Sequence, residues 1–136
     1  MRYIIDTDIL IYFLKHVPQV VKKFDDTDTE QIATTIINYT ELLFGAYNSS
    51  RIDQNLSRYK AFLEAIPILV FDKHCGETFA SLKATLRKQG KTIADMDLMI
   101  ASICMANDLI LVTNNTKHFQ RIKGLNIENW NLRDSR

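Results

Sequence analysis

Acids, amides and hydroxyls recur just after short apolar runs in this sequence. Asp6, Thr7 and Asp8 follow Tyr3-Ile4-Ile5, and Asn38, Thr40 and Glu41 follow the β-branched run that ends at Ile37. Asp72 follows the apolar residues 68–71, Thr113, Asn114 and Asn115 follow 109–112, and Asp95 and Asp97 open a further apolar stretch. Two carboxylates about 5 Å apart repel by roughly 3 kcal/mol at an effective dielectric of about 20. Asp6, Glu41 and Asp97 in one cleft would make three such pairs, with nothing cationic beside them in sequence. Capping alone would not gather them, whereas a hard divalent cation would. Mg²⁺ and Mn²⁺ take oxygen ligands and keep several waters, and such an ion polarises a phosphate and lowers the pKa of a water. His16, His74 and His118 are scattered, and Cys75 and Cys104 show no paired zinc spacing. The set therefore points to an oxygen-rich Mg²⁺ site, with Mn²⁺ as a substitute, rather than to zinc.

Taken singly, each residue has a plainer explanation. Asp6 could end a strand or cap the next helix, and Asp8 could cap the segment beginning at Ile9. Glu41 stands three residues after Asn38, the spacing of a capping box. Asp95 is a candidate N-cap, which puts Asp97 in a first turn where the helix dipole favours an anion. Asn114 and Asn115 could be turn residues. Only convergence of the acids distinguishes a site from a set of caps.

The elements that must produce this convergence are short. A strand is expected over 3–5, a helix over 9–15, and a second helix over 17–24, started by Pro18. An acidic loop over 25–30 leads to a strand over 31–37. Helices follow over 38–47 and 54–65, the latter with an apolar stripe at Leu56, Tyr59, Phe62 and Leu63. A strand over 68–71 precedes an amphipathic helix over 75–89 that stops at Gly90. A helix over 97–106 is apolar on nearly every side, so it is expected to be buried. A strand over 109–112, a short helix or turn over 116–121 and an edge strand over 125–129 complete the chain. Continuous apolar strands alternating with helices imply an α/β fold. Its sheet would be mostly parallel, with about four to five strands and helices on both faces. Ligands in such sheets sit at the carboxyl ends of the strands, where the acids lie.

Composition fits this reading. The 136 residues carry 17 Lys and Arg against 16 Asp and Glu, a net charge of +1, which excludes a polybasic nucleic-acid coat protein but not an enzyme with a local site. With 46% hydrophobic residues the chain can bury a core without disulfides, and one domain over 1–136 is expected. No apolar run reaches the length of a secretory signal or a membrane span. Two free thiols and no signal fit a reducing cytoplasm.

Four stretches together resemble the PIN-domain ribonucleases of the VapC toxin type: IIDTDILIYFLK, ATTIINYTELLFGAYNS, IADMDLMIASICMANDLILVTNNTKHFQRI and LNIENW. The resemblance runs nearly end to end, in order and spacing. It implies a PIN-like three-layer α/β sandwich, Mg²⁺-dependent endoribonuclease activity, a VapB-type antitoxin as partner, and a homodimer. By motif, Asp6 of DTD corresponds to the first metal carboxylate, Glu41 of TELLFGA to the second acid, and Asp97 of DLMIAS to the third. Asn115 of VTNN lies where many relatives have a fourth Asp and others Asn, so a fully built second metal site is in doubt. Asp8 stands where Asn is usual and adds negative charge, and Asp95 falls at a variable position. The implied reaction is phosphodiester hydrolysis in RNA, transfer RNA among the substrates, leaving 3′-hydroxyl and 5′-phosphate ends. In that reaction Asp6 and Asp97 would hold Mg²⁺, Glu41 would orient the attacking water or serve a second ion, and Asn115 with the Thr113 hydroxyl would position waters of the ion.

Lys88, Lys91, Lys117 and Arg121 flank the acidic motifs and are candidate phosphate contacts, together with His118; Lys83 and Arg87 read as a solvated helix face. The competing functions are a catalytically silent PIN scaffold that binds RNA or a partner, and a receiver-like signalling module built on Asp72, Asp6, Asp8 and Thr113. The latter leaves Glu41 and Asp97 without a task.

Overall fold

The alternation expected from the sequence is what the computed structural model contains; it describes residues 1–133. The elements are β1 (Tyr3–Ile5), α1 (Thr7–Leu14), α2 (Pro18–Asp25), a 3-10 turn at Thr29–Gln31, β2 (Ile32–Thr35), α3 (Ile36–Tyr47), α4 (Ile52–Leu63), β3 (Ile68–Leu69), α5 (Lys73–Lys88), α6 (Asp95–Ala106), β4 (Ile110–Val112), α7 (Thr116–Phe119) and β5 (Ile127–Glu128). The sheet has five strands in the order β3-β2-β1-β4-β5, and every neighbouring pair is parallel.

Period-two alternation divides β1 between two cores. Ile4 packs with Leu98, Ile100, Ala101 and Cys104 of α6 and with Leu86 of α5. Ile5 packs with Ile9, Leu10 and Leu14 of α1, Val20 of α2, Leu42 of α3 and Leu63 of α4. Helices therefore cover both faces, and β1 and β4, buried on both sides, must be apolar throughout. Trp130, 2% exposed, closes the second core. Its ring meets Tyr3 and Phe24 edge-on at 5.3 Å, and its Nε1 donates to Glu128 Oε1 at 3.1 Å. Cys75 and Cys104 are buried free thiols.

Several helices begin earlier than apolar periodicity indicates, because a polar residue sets each start. Asp6 caps α1, which begins at Thr7 rather than at residue 9. Thr35 caps α3 by accepting from the N–H groups of Ile37 and Asn38, so β2 ends at Thr35 and the β-branched pair Ile36-Ile37 is helical. Asp72 caps α5 by accepting from Cys75 N. At the other end of α5, Gly90 (φ +68°) takes the left-handed position. The N–H of Gly90 then bonds Arg87 O and that of Lys91 bonds Leu86 O, a Schellman stop.

The strand order places the topological switch at β1, whose neighbours are β2 on one side and β4 on the other. Ile5 pairs with Val112, so the next residues along, Asp6 and Thr113, emerge side by side at the carboxyl ends. That is where an open parallel sheet receives its ligands.

Candidate metal centre

Asp6 is the centre of the arrangement. It is 7% exposed, and its carboxylate is held from three directions. Oδ1 accepts from Thr7 N at 2.9 Å and from Asn38 Nδ2 at 2.9 Å, and Oδ2 accepts from Thr113 Oγ1 at 2.7 Å. The Asn38 amide also donates to Thr7 Oγ1 at 3.0 Å, and that hydroxyl donates to Glu41 Oε1 at 2.7 Å. One polar chain thus runs from the end of β4, through Asp6, to the second turn of α3. Asn38 itself is bonded by the Thr35 hydroxyl at 2.7 Å, so its orientation is fixed by the cap of its own helix. The capping-box reading of Asn38 and Glu41 fails, because the cap is Thr35 and Asn38 lies inside the helix. That frees Glu41 to face Thr7.

The Asp97 charge reaches both of the other acids. Burial, and then the Asp97 charge, push the Asp6 carboxyl up, against the opposing pull of its hydrogen bonds. Burial raises Glu41 as well, and the charges of both Asp6 and Asp97 add to it. Asp8 is raised to about 7, by burial first and the Asp6 charge second. Its oxygens accept from Ile9 N at 2.7 Å and Asn114 N at 3.1 Å, which ties the loop after β4 to the start of α1.

Asp97 lies in the first turn of α6, and its Oδ2 is 3.1 Å from His118 Nε2. That nitrogen is enclosed, but it makes no aligned hydrogen bond. An open groove lined by Thr7, Thr40, Glu41, Phe44 and Met96 runs beside the acids.

Other sequence candidates lie elsewhere. Ala94, not Asp95, precedes α6 as its cap, and Asp95 turns to Lys83 Nζ at 2.8 Å on the surface. The Lys83 side chain is therefore paired rather than simply solvated. Asn114 Oδ1 faces the C-terminal segment, accepting from Asn129 and Asn131 at 3.3 Å each. Asn115 is exposed at the start of α7, and its N–H donates to Thr113 Oγ1 at 3.0 Å. Arg121 donates to Thr92 O at 2.8 Å, while Lys88, Lys91 and Lys117 are exposed. Asp72 is exposed beyond the edge strand β3, two strands from β1, and its carboxyl is lowered by hydrogen bonding to Cys75. The constellation a receiver-like module needs is therefore not assembled. Sequence reasoning missed Thr7 as the link to Glu41, and it passed over His118 as a neighbour of Asp97. The first had a signal in its place beside Asp6; the second had none, because α6 and α7 are separated by β4.

Carboxylate oxygens in mutual repulsion, backed by neutral hydroxyl and amide donors, are the donor chemistry of a hard divalent cation. Among the described residues no group of three His, Cys, Asp or Glu side chains is already close enough to enclose an ion. Asp6 is fixed by its three hydrogen bonds, so enclosing an ion would require the Glu41 and Asp97 carboxylates to turn toward it.

Comparison with known proteins agrees with this architecture. The family model described as PIN domain matches residues 3–125. The chain is similar to the tRNA(fMet)-specific endonuclease VapC of Shigella flexneri, with 30% identity over 96% of this chain and 98% of that one. It is 35% identical to ribonuclease VapC2 of Rickettsia felis, again over 96% and 98% of the two chains. Its fold matches the crystal structure of Rickettsia felis VapBC2 bound to a DNA fragment from the promoter, with a TM-score of 0.88 and 34% identity over 96% of this chain and 99% of that one. From the end-to-end match in sequence and the shared sheet, the chain belongs to the PIN-domain family, among the VapC-type ribonucleases.

Proposed function

We propose that this chain, acting as one domain over residues 1–136, is a Mg²⁺-dependent endoribonuclease and the toxin of a VapBC-type pair. PIN-domain ribonucleases in general depend on divalent metal ions. The observation that carries the proposal is the placement of Asp6, Glu41 and Asp97, from the end of β1, α3 and α6, where the Asp97 charge reaches both Asp6 and Glu41 and adds to the effect of burial in raising their carboxyls. A divalent cation, when bound, supplies Lewis-acid polarisation of a phosphate and a nucleophilic water at neutral pH.

The chain's own residues do the rest. Asp6 and Asp97 would hold the cation. Thr113 and Asn38 fix the Asp6 carboxylate so that it need not reorganise. Glu41, oriented by the Thr7 hydroxyl, would orient the attacking water or serve a second ion. Asn115, exposed at the mouth, would position a water, whereas Thr113 is fully buried with its hydroxyl committed to Asp6, so the water-holding role expected of Thr113 from the sequence falls away. Lys88, Lys91, Lys117 and Arg121 take RNA phosphates, and a transfer RNA is the substrate class, as the name of the Shigella flexneri relative suggests. The partner is a VapB-type antitoxin, supported by the VapBC solved structures, and the resemblance to the family implies a homodimer working in the cytoplasm. No helix among the described residues is long and apolar enough to cross a membrane.

The test is cleavage of bulk transfer RNA by the isolated chain with Mg²⁺, with chelator, and in Asp97→Asn. Cleavage that needs the metal and is lost in the variant is the expected result. Metal-dependent cutting that survives Asp97→Asn would show that the assigned site is wrong and favour a silent scaffold with a contaminating activity.

A further inference from the structure

The groove beside the acids, about 620 Å³ in volume, is lined by Thr7, Thr40, Glu41, Phe44 and Met96. Phe44 follows Thr40 by four residues and Glu41 by three on α3, so it stands on the helix face that carries both. Met96 stands next to Asp97 at the start of α6. Phe44 is 67% exposed and Met96 42%, and neither joins either of the two cores. A large ring is thus left in water directly beside the candidate centre, although burial is what such a ring ordinarily contributes.

Charge decides what the groove accepts. Among the described residues no Lys or Arg lines it, and Glu41 opposes an anion, so a phosphate is disfavoured there. The Thr7 hydroxyl is committed, donating to Glu41 at 2.7 Å and accepting from Asn38 at 3.0 Å. The Thr40 hydroxyl donates to Ile36 O at 2.7 Å and keeps a lone pair that can accept from the amine of a base. An RNA whose scissile phosphate lies at the acids must place an adjoining nucleotide beside Glu41. The neutral, flat base is the part of that nucleotide that suits these walls. A protein segment seated in the groove would cover Glu41 and have to leave before cleavage.

We propose that Phe44 is a stacking platform whose ring takes the face of an unpaired RNA base next to the scissile phosphate, with Met96 as a second apolar wall. This rests on the reading of Asp6, Glu41 and Asp97 as the centre of a ribonuclease, and it adds a substrate preference. Every base has a π-face, so the platform tolerates any sequence. It selects unpaired nucleotides, whose bases can be splayed out onto an aromatic ring, over bases stacked within a duplex.

The test is affinity for bulk transfer RNA, measured in the Asp97→Asn chain so that RNA is not consumed, with Phe44 retained and with Phe44→Ala, Phe44→Leu and Phe44→Trp. The Ala and Leu variants are expected to bind about tenfold more weakly or worse, the scale of one base–aromatic stack, while the Trp variant binds like the parent. RNA should quench the fluorescence added by Phe44→Trp, read against the buried Trp130 of the parent chain. With Asp97 intact, Phe44→Ala should raise KM by a similar factor and leave kcat little changed. Phe44→Leu that binds as tightly as the parent overturns the proposal, because an apolar contact then suffices. A Phe44→Ala chain whose mass in solution falls while its RNA affinity holds also overturns it, and assigns the ring to a contact with a second copy. Either result, in a wild type that still cuts RNA with Mg²⁺, leaves the acidic centre standing. A wild type that cuts with neither Mg²⁺ nor Mn²⁺ overturns the centre and the platform together.

Discussion

The Thr113 hydroxyl donates to Asp6 Oδ2 at 2.7 Å, joining two residues 107 positions apart in the chain. The contact exists because β1 and β4 are parallel neighbours in register, so the first residue beyond each strand meets the other. Fold and candidate chemistry thus share one hydrogen bond. Its acceptor is a buried carboxylate and its donor a buried hydroxyl, so neither can turn to water instead.

Removing that donor should therefore be costly. Thr113→Val keeps the shape but leaves Asp6 Oδ2 and the Asn115 N–H without a partner. The expected loss is about 1–3 kcal/mol of unfolding free energy by urea titration, with Thr113→Ser recovering most of it. An unfolding curve for Thr113→Val that overlays the wild type would mean the bond contributes nothing.

Glu41 separates stability from activity. Glu41→Gln keeps an oxygen to accept from Thr7 but removes a charge that Asp6 and Asp97 oppose. In chelator the variant should be more stable by on the order of 1 kcal/mol after solvent screening, a rise of about 2–6 °C in Tm. RNA cleavage should fall about a hundredfold or more, equivalent to about 2.7 kcal/mol of barrier. A variant that is both less stable and fully active would contradict the placement of Glu41.

Phosphate contacts can be counted by salt. Lys117 is exposed on α7, next to His118. If it takes one phosphate of single-stranded RNA, Lys117→Ala should reduce the slope of log affinity against log salt by about 0.7. The binding assay should use the Asp97→Asn chain, so that RNA is not consumed. An unchanged slope would remove Lys117 from the interface.

Much of this arrangement is legible in the sequence. The parallel sheet follows from apolar runs with no polar face, and Asp6, Glu41 and Asp97 were marked by their places after strands or at a helix start. What could not be read was local competition and distant contact. Ile36 and Ile37 look like strand, yet the Thr35 cap makes them helix, because a hydroxyl satisfying two free N–H groups outweighs β-branched preference. Asp95 looked like a cap, but the helix begins there without one and the carboxylate goes to Lys83. The approach of His118 to Asp97 depends on how α7 returns over α6, which no spacing encodes.

The sign of the pH dependence is the last consequence of crowded acids. Asp8 has its carboxyl raised from 3.8 to about 7 by burial and the Asp6 charge, and Asp6 and Glu41 are raised too. An acid whose folded pKa exceeds its unfolded value binds more protons when folded, so stability falls as pH rises between the two values. Without metal, Tm should therefore decline from about pH 4 to about pH 7 and level off above it, the reverse of the trend set by carboxylates in salt bridges. Asp8→Asn should make the decline shallower, by removing one titrating group and its repulsion with Asp6. A divalent cation should raise Tm more at about pH 8 than at about pH 5, because its ligands must be ionised to bind it. Thermal melts across this range, with chelator and with Mg²⁺, decide the matter. A metal-free Tm that climbs with pH, or an Asp8→Asn profile parallel to the wild type, would show that Asp8 does not titrate where the structure puts it.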